Sequence, residues 1–96
     1  MELPEVTHAA SGHRGAFAFE IDGKRLAEMT YSIAGDDTVI IQHTDVDASL
    51  RGTGAGKKLL TALVDWARAE QKKIIPLCPF AKSVLEKTPE FQDVLK

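Results

Sequence analysis

The sequence predicts an α+β fold in which an antiparallel meander continues into a β-α-β unit and ends in a short helical cap. Three observations carry this expectation. Apolar residues alternate with a period of two through the first half, between turn signals. The period then changes to three and four residues over one long stretch. A short apolar segment and a cluster of prolines follow it.

The first dozen residues are weakly patterned, and no element is predicted there. Arg14 to Ile21 sets Phe17, Phe19 and Ile21 against Ala16, Ala18 and Glu20, a strand with one buried face. Asp22-Gly23 is a hairpin turn signal. Arg25 to Ile33 follows as a second strand, carrying Leu26, Met29, Tyr31 and Ile33. After Ala34-Gly35-Asp36-Asp37, the segment Thr38 to Val46 is rich in β-branched residues and reads as a third. Short loops between these segments permit only antiparallel neighbours.

From Gly56, the residues Leu59, Leu60, Leu63, Val64, Trp66 and Ala67 define an amphipathic helix ending near Gln71. Lys72 to Leu77 is a strand returning beside Thr38–Val46 through a parallel, right-handed crossover. Pro76 places its end, or puts it at an edge. Pro79 suits the first turn of a helix over Phe80 to Lys87, and Glu90 to Leu95 adds a last turn.

Ninety-six residues make one domain, expected over 1–96 with its core at about 14–95. The mix of 44% hydrophobic and 27% charged residues excludes a disordered or fibrous chain. A net charge of −2 argues against a nucleic-acid partner. No apolar run approaches the ~20 residues of a membrane span. The one cysteine, Cys78, has no partner in the chain. With no leader pattern in MELPEVTHAA, the expected setting is cytoplasmic.

The stretch Arg51-Gly52-Thr53-Gly54-Ala55-Gly56-Lys57-Lys58 stands between the third strand and the long helix. Glycines let backbone N–H groups approach a ligand, and a helix start offers free N–H donors with partial positive charge. Lys57 and Lys58 oppose that dipole, and a bound phosphate would reverse the sign. The spacing is neither that of a Walker A loop nor Gly-x-Gly-x-x-Gly. A plain turn remains the alternative.

The spacing that fits is Arg-x-x-Gly-x-Gly, which resembles the acetyl-CoA pyrophosphate loop of the GNAT acetyltransferase superfamily. His43-Thr44-Asp45-Val46 and Ile75-Pro76-Leu77-Cys78-Pro79-Phe80 are similar to a branch of very small GNAT-like proteins. The resemblance implies a minimal GNAT-like fold and a protein that binds acetyl-CoA and moves its acetyl group to an amine, on a protein or a small molecule. It implies that Gly52, Thr53, Gly54, Ala55 and Gly56 hold the pyrophosphate, with Arg51 and Lys57 nearby, and that the strand containing Val46 pairs with the pantetheine arm. The chain departs from full-length members in two ways. Asp22-Gly23 stands where they carry helices that help build the acceptor site, and no tyrosine follows the last core strand. The alternative function is therefore a coenzyme A-binding module without efficient catalysis.

Acetyl transfer needs a proton acceptor for the amine and a way to stabilise the departing thiolate. His43 and Asp45 lie two apart on one strand and share a face, and an imidazole suits the role of base. Packing of His43, and turn capping by Asp45 and Asp47, are the alternatives. Cys78 precedes a helix start that favours thiolate; it is a candidate nucleophile or acid, or a small core residue. His8 and His13 have no partners at ligand spacing, and no metal is expected. Trp66, Leu59 and Leu63 read as core; Tyr31, Phe80 and Phe91 read as core or cofactor wall.

Overall fold

The computed structural model describes residues 5–96. The first four residues of the segment read above for a leader lie outside the described residues. The elements are β1 (Thr7–Ser11), β2 (Arg14–Ile21), β3 (Lys24–Ala34), β4 (Thr38–Val46), a 3-10 turn at Ala48–Leu50, α1 (Ala55–Ala69), β5 (Lys73–Pro76), α2 (Pro79–Lys87) and a 3-10 turn at Pro89–Val94. The strands form one five-stranded sheet in chain order. The first three pairings are antiparallel, and β4 with β5 is parallel. The expected α+β architecture is the one observed.

One strand was not expected. β1 pairs with β2, placing His8 opposite Phe17. All five of its residues are exposed, so the segment carries no alternation of burial for the sequence to display. β2 and β4 begin and end where expected, and the other boundaries move by one or two residues. At the β2–β3 turn, Asp22 and Gly23 both take left-handed φ values of 52° and 79°, the geometry that two-residue hairpins require.

Two strands carry an extra residue. Glu20 pairs with Arg25 and Phe19 with Ala27, which leaves Leu26 as a bulge in β3. Thr30 pairs with His43 and Tyr31 with Ile41, which leaves Gln42 as a bulge in β4. The second bulge reverses the alternation. Before it, Val39 and Ile41 face the core; after it, Thr44 sits opposite buried Met29 and Val46 opposite buried Ala27. His43 and Asp45, opposite Thr30 and Glu28, therefore face outward.

α1 lies across β2, β3 and β4 and buries Leu59, Leu60, Leu63, Val64 and Ala67 against Phe19, Met29, Tyr31, Val39 and Ile41. Ala81, Leu85, Phe91 and Val94 extend the same core from the C-terminal cap. Arg68 ties that cap to α1, donating to Asp93 at 2.9 and 2.8 Å and to the Glu90 carbonyl at 2.8 Å. Leu95 bridges to Ile74 on the outer side of β5.

Trp66 is only half-buried. It closes an aromatic cluster in which His8 stacks on Phe17 at 4.0 Å between ring centroids and meets Trp66 edge-on at 5.1 Å. The Tyr31 hydroxyl, in a residue 1% exposed, is satisfied by His8 Nε2 at 2.6 Å. The cluster needs Gly15: a Cβ there would stand 2.3 Å from the Tyr31 oxygen.

Two outcomes follow from this cluster. Gly15→Ala should lower stability by about 1–3 kcal/mol, the cost of overpacking a filled site, read as a drop in melting temperature. Partial loss of water where the ring packs on Phe17 and Trp66 lowers the His8 pKa from 6.5, so the folded state favours the neutral ring. That contribution is complete above pH 6.5 and is lost as pH falls through the lowered folded value. His8→Phe should flatten the decline in melting temperature between about pH 7 and about pH 5; an unchanged slope would remove His8 as its source.

Candidate functional site

The loop after β4 is shaped by its own polar groups. Asp47 accepts hydrogen bonds from the Ser49 backbone N–H at 2.9 Å and hydroxyl at 2.6 Å, which hold its carboxyl below its ordinary value. Capping is thus the role the structure gives Asp47. The Thr53 hydroxyl donates to the Leu50 carbonyl, and buried Leu50 pins the turn to the core.

The three glycines do different things. Gly52 and Gly54 both have φ of 81°, a conformation that costs other residues about 1–2 kcal/mol. A Cβ on either would meet nothing within 4 Å, so the space over the loop is open. Gly54 caps α1, and among the described residues no side chain bonds to the N–H groups of that helix start. Gly56 is helical and buried, and a Cβ there would come within 2.8 Å of the Phe80 ring.

Between this loop and α2 lies a cavity of about 410 Å³. Arg51, Gly52, Gly54, Ala55, Gly56 and Lys57 line it from the loop and the start of α1, Val46 and Leu50 from β4 and the turn after it, and Phe80 and Val84 from α2. All the expected cofactor residues except Thr53 line it. Lys58 does not. It borders a separate hollow of about 450 Å³ with Glu5, Thr61 and Asp65, so only one of the two lysines faces the glycine loop.

β4 and β5 pair as far as Ile41 and Pro76 and then part. The Ile41 carbonyl accepts from both Leu77 N–H (2.9 Å) and Cys78 N–H (3.3 Å), the last bonds before the chain turns into α2. Cys78 caps α2 and is 7% exposed. Its Sγ lies 3.3 Å from Thr44 Oγ1. Burial pushes the thiol up, but the Thr44 hydroxyl and the N–H groups of Ala81, Phe80 and Thr44 outweigh it, and the thiol sits below its ordinary value. Thr44 and Phe80 thus join the site.

The structure brings Cys78 and Val46 to the core side of β4, and leaves His43 and Asp45 exposed on the other side. A hollow of about 230 Å³ borders Asp45 together with Arg25, Glu28 and Asp47. Tyr31 and Phe91 are core, and Phe80, 40% exposed, is a cavity wall. Among the described residues no helix is long and apolar enough to cross a membrane.

A bulged meander, a glycine loop at a helix start and a parallel strand that parts from its neighbour define the acetyltransferase class of fold. The chain belongs to the GCN5-related N-acetyl-transferase family, whose model matches residues 16–94. It is similar to a GCN5-like chain from Staphylococcus aureus solved by NMR, with 38% identity and a TM-score of 0.74, over 100% of this chain and 91% of that one. Two larger enzymes share the fold. One is a ribosomal-protein-alanine N-acetyltransferase from Brucella melitensis, at 18% identity and TM-score 0.64, covering 80% of this chain and 62% of that one. The other is an aminoglycoside N-acetyltransferase in complex with CoA, at 19% identity and TM-score 0.58, covering 79% and 66%. The chain thus spans about two thirds or less of these enzymes. No curated protein matches it.

Thr44 offers a direct check on the thiol. Thr44→Val removes a donor to the thiolate and should shift the pH profile of iodoacetamide alkylation at Cys78 upward; Thr44→Ser should restore it. A profile unmoved by Thr44→Val would show that the hydroxyl does not influence the sulfur.

Proposed function

We propose that this protein binds acetyl-CoA and transfers the acetyl group to an amine, carried by a protein or by a small molecule. The observation that carries the reading is the cavity at the glycine loop, which sets open backbone donors at the start of α1 beside Val46, a residue of β4 beyond its last pair with β5. The pyrophosphate would lie over Gly52–Gly56 with Arg51 and Lys57 beside it, balancing charge that the helix start also favours. Thr53 shapes the loop through its bond to Leu50. The pantetheine arm would run along β4 at Val46, where no strand pairs on that side.

In the transfer, the amine nitrogen forms a bond to the acetyl carbon, the carbon–sulfur bond of the thioester breaks, and the sulfur leaves as thiolate. Cys78 is the side chain that faces the parting of the strands, so it is assigned to meet the thioester. Its thiol either protonates the leaving sulfur or, as thiolate, takes the acetyl group first. His43 and Asp45 stand on the open face of β4, the side left free for an approaching amine, and His43 is assigned the proton taken from it. No metal takes part in this scheme. A coenzyme A-binding module without efficient catalysis would share the loop and lack the transfer.

Calorimetry with coenzyme A tests the binding. Arg51→Ala should weaken it by about 1–3 kcal/mol, the scale of a charge-assisted hydrogen bond, and unchanged affinity would remove the loop from the site. Incubation with acetyl-CoA and a panel of amines tests the transfer. Cys78→Ala should lower the rate by ~10²-fold. A gain of ~42 Da on Cys78 before amine is added would mark it as the nucleophile. Full activity in Cys78→Ala would return it to core packing.

A further inference from the structure

The walls of the glycine-loop cavity differ in chemistry. Arg51, Lys57 and the uncapped N–H groups of α1 suit phosphate oxygens. Val46, Phe80 and Val84 offer phosphates nothing, and phosphate groups alone leave them wet. Phe80 and Val84, four apart on α2, lie on one helix face. Phe80 is 40% exposed at the rim, one of two large hydrophobic side chains left so open among the described residues. Its ring is not free to swing inward, because its tip already rests against the backbone at Gly56. The glycine therefore serves the phenylalanine, and the phenylalanine faces the cavity.

Resting on the reading above that this cavity binds coenzyme A, we propose that Phe80 is the specificity-determining residue by which the site distinguishes a ligand with an aliphatic arm from its nucleotide alone. An occupant that satisfies both walls is a phosphorylated molecule continuing into a thin, largely apolar chain. Such a chain would lie between Phe80 and Val46; Cys78 stands two residues before Phe80 at the start of the same helix, outside the lining of the cavity. The ring would contribute by being covered by that chain.

Calorimetry of the wild type, Phe80→Ala and Phe80→Leu with coenzyme A and with adenosine 3′,5′-bisphosphate tests this. Phe80→Ala should weaken coenzyme A roughly tenfold or more and change the bisphosphate by less than about twofold, with Phe80→Leu losing less than Phe80→Ala. Should Phe80→Ala fail to fold, Phe80→Leu still has to weaken coenzyme A more than the bisphosphate. Equal losses for both ligands, or no loss for coenzyme A, overturn the inference. If coenzyme A binding is lowered by Arg51→Ala but not by Phe80→Ala, the functional reading stands and this inference falls. If the wild type binds neither ligand, both fall.

Discussion

A single unpaired residue, Gln42 in β4, sets the terms for everything around the site. β4 follows β3 in strict register until Ile41 and resumes at His43. One residue of slip exchanges the two faces of a strand. Had the alternation continued unbroken, His43 and Asp45 would have shared the face of Val39 and Ile41 and pointed into the core. The bulge turns them outward and brings Thr44 and Val46 inward. It also marks the limit of the β4–β5 pairing, since the Ile41 carbonyl takes the last two N–H groups of the departing chain. The position of Thr44 beside Cys78 follows from that offset.

The glycine loop combines two constraints that resemble each other in sequence and differ in kind. Gly52 and Gly54 are required by the backbone, which runs through left-handed conformations there. Gly56 is required by a neighbour, the Phe80 ring, from a helix more than twenty residues further along the chain. The first two leave the space above the helix start open, and the third lets α2 close in from the side.

Much of this was legible in the sequence. β2 was found by its alternation and β4 by its run of β-branched residues, both to the residue, and the three- and four-residue spacing found α1. The loop was legible because glycine at short intervals before a helix has few other uses. What escaped did so for physical reasons. β1 has no buried face, so its five residues carry no period. A bulge leaves no composition signal, so nothing in TVIIQHTDV announced that His43 and Cys78 fall on opposite sides of one strand. Phe80 read as core or wall, and only its contact across the fold shows that it is a wall. Lys57 and Lys58 looked alike as neighbours, yet a helix rotates successive residues by roughly 100°, and only Lys57 meets the cavity.

The parallel pairing of β5 with β4 has a kinetic meaning. The meander is built from neighbours in the chain, each hairpin closing a short loop. β5 can join only after α1 has been laid down, because Thr38 must find Lys73 across the whole crossover. Contacts of such separation cost more loop-closure entropy and form later than those of the meander. The wall contributed by α2, and the sulfur at its start, belong to that late unit, whereas the glycine loop is anchored to the early one. The two parts of the cavity are thus held by different parts of the chain: the glycine loop hangs from β4 in the meander, the wall at Phe80 and Val84 follows β5, and an occupant touching both would tie the last strand to the rest.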